Sequence, residues 1–149
     1  MRMYFSIVRT DNTPTLLCRL AVGLIFFSEG LQKYITPDAT GVGRFDKIGF
    51  SDPAFWAYFT GSFEILCGIL ILFGLLTRLA AVPLFIIMIV AFVTTKVPIL
   101  VDKGFWAMAH EYRTDFAMTL LLIHLLKYGG GNYSIDKKIA QSKTIQKET

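Results

Sequence analysis

Apolar and polar positions along the chain alternate in long blocks, and the blocks set the elements. Four apolar runs cover about residues 14–35, 54–76, 79–100 and 105–128. Each is long enough for the roughly 20 helical residues that a bilayer core requires. Thr13-Pro14 reads as an N-cap followed by proline at the first helical position. Thr77-Arg78 reads as a tight turn, and Gly129-Gly130-Gly131 as the break after the last run. The long connection 36–53 is bracketed by Pro37 and Pro53. Within it, Arg44 to Phe50 has the pattern of a short amphipathic element on the membrane interface, either an ordinary loop or a cover over the bundle mouth. The pattern predicts an all-α fold, an integral membrane four-helix bundle. Its parts are an N-terminal cytoplasmic segment 1–13, a membrane domain 14–128 and a polar C-terminal tail 129–149. The first run has no small-residue cleavage site at its end and is read as a retained helix.

Composition sharpens this picture more than it changes it. Of 149 residues, 54% are hydrophobic and 17% charged, which fits a chain in contact with the lipid bilayer rather than a soluble domain. A formal charge of +4, with lysines gathered near the tail, suits anionic headgroups and gives no sign of nucleic acid. Cys18 and Cys67 lie on different helices and form no C-x-x-C pair, so neither a metal site nor an intrinsic disulfide is expected. His110 and His124 fall near opposite ends of one helix and cannot share a haem.

The polar residues inside the apolar runs carry the candidate chemistry. An ionisable group in hydrocarbon is expensive unless it is paired or faces a cavity. Glu64 lies near the middle of the second run, on a helical face otherwise made of the small residues Ala57, Thr60, Gly61, Cys67 and Gly68. Small residues let backbones approach, so this face is expected to pack inward and to take Glu64 with it. The first run contributes Arg19, Glu29 and Lys33, and the third Lys96, which either snorkels to the headgroups or turns inward. The fourth holds the densest cluster, His110-Glu111-Tyr112-Arg113-Thr114-Asp115. At about 1.5 Å rise per residue, Glu29, Glu64 and Asp115 lie roughly 9, 15 and 15 Å from the outer ends of their runs, and Arg113 roughly 12 Å. Charges from several helices therefore converge at one level, as a functional pocket or as pairs that orient the bundle. Arg19 lies apart, nearer the opposite end.

Four spans would put both termini on one side, with eight basic residues there and six on the other. That bias favours cytoplasmic termini.

Arg19-Leu20-Ala21-Val22-Gly23 with Glu29-Gly30-Leu31-Gln32-Lys33, then Gly61, Glu64 and Gly68 ahead of Gly74-Leu75-Leu76-Thr77-Arg78, and lastly Gly129-Gly130-Gly131-Asn132-Tyr133-Ser134-Ile135-Asp136, resemble the DoxX family of bacterial membrane proteins. The resemblance spans about Leu16 to Asp136, and the closing Gly-x-Gly-x-Tyr-Ser-x-Asp pattern is its most specific part. It implies a four-helix bundle in the bacterial cytoplasmic (inner) membrane. Relatives include membrane subunits associated with thiosulfate:quinone oxidoreductase and with sulfur-redox or oxidative-stress complexes. Thiol-handling relatives often carry paired cysteines, which this chain lacks.

Two readings follow. In the first, the chain is the quinone-facing subunit of an oxidoreductase. Glu64, Asp115 and Glu29 do acid–base work, and Arg19, Lys33, Lys96, Arg113, His110 and Glu111 hold the ligand. The cofactor is then a quinone, electrons come from a soluble redox partner, and a homo-oligomer is open. In the second, a non-enzymatic transporter, lipophile-binding or assembly protein uses the same charges.

Overall fold

The computed structural model describes the backbone of residues 15–148 and the side chains of residues 15–142. The segment 1–13 and the Thr13-Pro14 cap lie outside the described residues. All regular elements among the described residues are helical: α1 (Thr15–Ile35), α2 (Val42–Ile48), α3 (Pro53–Phe73), α4 (Thr77–Ala91), a π-helical turn (Phe92–Lys96), α5 (Val97–Lys103), α6 (Phe105–Tyr128) and α7 (Ile135–Glu148). Helices satisfy their own backbone groups, which is what hydrocarbon demands. Three are long and apolar enough to cross a membrane: α1, α3, and the continuous stretch Thr77–Lys103. The fourth long helix, α6, carries Glu111, Arg113 and Asp115 in its first half.

The four long helices form a ring in which α1 packs on α3, α3 on α4, α4 on α6, and α6 on α1. The α1–α3 contact is backbone to backbone. A Cβ added at Gly30 would stand 2.7 Å from the Gly61 carbonyl oxygen, and one at Gly68 would stand 3.0 Å from that of Gly23. Only small residues permit this approach, and it turns the small face of α3 inward: Ala57, Gly61, Glu64, Cys67 and Gly68 are buried. The apolar core lies toward the α3–α4 turn, where Val22, Phe26, Ile71, Leu84, Leu122 and Leu125 meet. Outside, Leu24, Leu66, Leu79, Ile86, Ile89 and Val93 are exposed. A surface so apolar belongs in lipid.

Two expected boundaries move. The second run ends as a helix at Phe73 rather than at 76, because Gly74 takes a left-handed conformation (φ 66°) and the Gly74 and Leu75 amides close back on Ile71 and Leu70. The third does not stay regular to residue 100. Pro98 has no N–H and its ring crowds the carbonyl four residues back, so the helix widens before it and the Val97 amide reaches Phe92 O. After the glycines, the stretch read as a polar tail forms α7.

Candidate functional site

Among the described residues, buried charge sits in two places, one in each half of the bundle. Near the α3–α4 turn, Arg19 is 2% exposed and all three of its guanidinium nitrogens are engaged. Nε donates to Ile71 O (3.0 Å), Nη2 to Leu72 O (2.9 Å), and Nη1 to Gly130 O (2.7 Å) and Tyr133 O (2.9 Å). These carbonyls belong to the last turn of α3 and to the Gly130–Tyr133 stretch after α6, where helix ends leave acceptors to be satisfied. Beside it, Asp136 accepts from the Leu76 amide (2.7 Å), the Thr77 amide (3.0 Å) and the Thr77 hydroxyl (3.1 Å). It thereby caps α4 from the start of α7. Leu76, a bulky residue at φ 49°, is held in the left-handed region by that bond. This is a structural knot.

In the other half, Lys33 of α1 and Glu64 of α3 form an ion pair with Nζ and Oε2 2.5 Å apart. They are 7% and 4% exposed. Lys33 Nζ also donates to Glu29 O (3.4 Å). At the far side of the ring, Lys96 Nζ lies 3.1 Å from Asp115 Oδ2 and donates to Glu111 O at 3.1 Å. Glu29, Lys33, Glu64 and Asp115 all line one cavity of about 410 Å³. Its walls are apolar and aromatic, with Phe26, Phe59 and Trp56 on one side and Ile87, Met88 and Met118 on the other. The α2 segment contributes Arg44, Phe45 and Ile48.

The candidates thus divide. Glu29, Lys33, Glu64 and Asp115 come together, with Lys96 behind Asp115. Lys96 turns inward rather than snorkelling, because the π turn re-aims it, and the Thr94 and Thr95 hydroxyls bond back to Val90 O and Ala91 O within that turn. Arg19 does not join the ligand-holding group, because its donors are taken by carbonyls in the other half. Arg113, His110 and Glu111 do not line the cavity either. All three are exposed, Arg113 Nη1 lies 3.5 Å from His110 Nδ1, and Glu111 contributes its backbone carbonyl alone to Lys96. Azimuth turns two of them away: at 100° per residue Arg113 and His110 lie about 160° and 140° around the helix from Asp115, whereas Glu111 lies about 40° from it and one turn nearer the helix start.

Arg44 and the aromatic wall were not singled out as site residues. Their signal was the amphipathic Arg44–Phe50 segment, four of whose residues line the cavity.

These features define a small helical membrane protein with a charged cavity in one half of its bundle. The chain belongs to the DoxX family, whose profile matches residues 15–97. It is 46% identical over 145 residues to "Uncharacterized membrane protein Rv3486" of Mycobacterium tuberculosis, covering 93% of this chain and 89% of that one. It is 32% identical over 131 residues to "Putative oxidoreductase CatD" of Bacillus subtilis, covering 87% of this chain and 89% of that one. No solved structure matches it.

Proposed function

We propose that the protein is a membrane subunit serving quinone- or sulfur-linked redox chemistry, and that its cavity receives the head of a lipid-soluble quinone. One observation carries the reading: an apolar, aromatic cavity of about 410 Å³ has the buried Lys33–Glu64 pair in its lining. Cavities of that size and character suit ring-sized lipophiles, with a few convergent polar groups to orient them. The residues fit a quinone: Phe26, Phe59 and Met118 offer surface to a ring, and Lys33 offers an ammonium to a carbonyl oxygen. When bound, a quinone supplies two-electron, proton-coupled acceptor chemistry. Lys33 binds and polarises, Glu64 keeps the ammonium aimed and can hold a proton beside it, and the walls exclude water. Glu29 and Arg44 line the same space and are exposed, which suits proton exchange at its mouth. Electrons are assigned to a soluble redox partner. The relative named as an oxidoreductase supports this reading.

Purification with native lipids, followed by mass spectrometry of extracted small molecules, tests it. Quinone should be retained by the wild type and lost from Glu64→Ala. Retention of another lipophile with no quinone would move the function to the transporter, lipophile-binding or assembly reading.

The same proposal has α6 crossing as the fourth span, the membrane domain over 14–128 in the bacterial cytoplasmic membrane, and both termini in the cytoplasm. The excess of basic residues on that side supports it. In intact cells an impermeant thiol reagent should label Asp46→Cys and spare Ala140→Cys. The reverse pattern overturns the orientation.

A further inference from the structure

Resting on the reading that the cavity binds the head of a quinone, we propose that the ligand enters sideways from the lipid, through an opening between α3 and α4, and leaves its hydrocarbon tail there. The rim of that opening is Phe59 and Phe63 on α3 with Ile86 and Val90 on α4. The ligand class is then a quinone with a long apolar tail, rather than a free ring that reaches the cavity from water.

The exposed members of the cavity lining fall into two sets. Glu29, Arg44 and Thr114 are polar and come from α1, α2 and α6, whereas Trp56, Phe59, Ile86 and Val90 are apolar and come from α3 and α4. The apolar four are 38%, 45%, 54% and 44% exposed, so they reach the outside of the bundle as well as the cavity. Azimuth places this rim. At 100° per residue from Glu64, Gly61 and Ile65, which stand against Gly30 of α1, lie about 60° and 100° to one side. Trp56, Phe63 and Phe59 lie about 80°, 100° and 140° to the other, the side of α4. Near the turn that side is closed: Cys67, about 60° round from Glu64, is 4% exposed and Ala80 of α4 is 3% exposed. Toward the outer end it opens, and Phe63, at 36% exposure, stands just beyond the lining with its ring 4.9 Å from that of Phe59.

The two sides of the opening also match in height. From the end of α3 at Phe73, Phe63 and Phe59 stand about 15 and 21 Å along the helix; from the start of α4 at Thr77, Ile86 and Val90 stand about 14 and 20 Å along theirs. Across the hairpin each phenylalanine is thus level with one aliphatic residue. Pro83 falls between the buried Ala80 and the exposed Ile86 and Val90. It removes one helical hydrogen bond and crowds the carbonyl four residues back, which loosens α4 where the two helices part. In a hydrocarbon core of roughly 30 Å, an opening at this height lies among acyl chains and not among headgroups. What passes through it comes from the lipid, and the part that stays in it is apolar.

The test uses the full chain in lipid nanodiscs. The probe is decylubiquinone with a diazirine on the third carbon of its tail, which on irradiation attaches to the protein beside it, and peptide mass spectrometry maps the adducts. They should fall on residues 59–63 and 86–90. Roughly tenfold excess of unlabelled decylubiquinone should lower them about tenfold, as mass action requires. Lys33→Met with Glu64→Met, which removes the head site without orphaning a charge, should abolish them. The head is read separately: Trp106→Phe leaves Trp56, in the lining, as the sole tryptophan, and its fluorescence is titrated with the same quinone ring lacking the tail. Competed adducts confined to other faces overturn the lateral opening. Adducts that resist competition mean that an ordinary acyl chain fills the opening, and they overturn the tail site. In either case the quinone reading stands if the tail-less ring shifts Trp56 fluorescence in the parent and not in the Lys33→Met, Glu64→Met variant. Without that shift and without a competed adduct, both fall.

Discussion

Arg19 and Lys33 lie on the same face of one helix, about 21 Å apart along it, and both are buried. Arg19 donates four hydrogen bonds to backbone carbonyls at the end of α3 and in the Gly130–Tyr133 stretch after α6. Four of its five N–H groups are used in that arrangement, every guanidinium nitrogen is engaged, and the surroundings are packed core. Lys33 instead meets one carboxylate on the wall of a cavity. An ammonium has three donors, of which Glu64 and the Glu29 carbonyl take two, so Lys33 retains one that a molecule bound in the cavity can use. The contrast separates a charge that completes the fold from a charge that the fold presents. The fork of arginine suits the first task, and the compact point charge of lysine the second.

The comparison breaks hardest at Arg19. Arg19→Ala should lower stability by more than about 4 kcal/mol, since hydrogen bonds to charged groups are worth about 1.5–3 kcal/mol each and buried carbonyls would be stranded. Thermal melting in detergent measures this. Arg19→Lys should recover little, because one ammonium cannot span four carbonyls. Melting close to wild type for either variant would refute the structural assignment.

Glu64→Ala comes next, at about 3–5 kcal/mol, because it leaves the Lys33 ammonium buried without its partner. It should also abolish ligand retention. Glu64→Gln should melt nearer the wild type and still lose proton-linked function. Full function of Glu64→Gln across pH would make the carboxylate structural.

Asp136→Asn should cost about 1–3 kcal/mol, since one of its two acceptor oxygens is replaced by a donor facing α4 amides. Ligand retention in the folded protein should be untouched, which sharpens the division between the two ends. Asp115→Asn should cost under about 1 kcal/mol, because the Asp115 side chain is 32% exposed and screened pairs contribute little. The double substitution Lys33→Met with Glu64→Met should change stability least, and in the stabilising direction if at all, because an apolar pair replaces desolvated ions. Its ligand binding should nevertheless be gone. A double variant that melts far below wild type would show that the cavity pair also holds the fold.

Much of this was legible in the chain as written. Helix existence, the glycine stops and the inward face of α3 are local properties: they follow from the 3.6-residue period and from small residues at fixed spacing. Glu64 could be assigned to the interior because its neighbours on that face are Gly61, Cys67 and Gly68. Rise per residue alone put Glu29, Glu64, Arg113 and Asp115 at about one level, with Lys33 and Lys96 nearer the outer ends of their runs.

The sequence by itself determined which residues share a face within each helix and how deep each lies. Only the tertiary structure decided which charge meets which. Periodicity fixes a helix relative to itself and says nothing of its rotation against its neighbours, so Arg113 and Asp115 looked equivalent until packing turned one outward and the other in. Arg19 finds its acceptors at Gly130 and Tyr133, more than a hundred positions along the chain, and no local pattern encodes that meeting. Lys96 was decided by the register shift ahead of Pro98, which turns one side chain from the headgroups toward Asp115 and the Glu111 carbonyl. In a medium of low dielectric a charge goes where its partners are, and the packing of whole helices sets where that is.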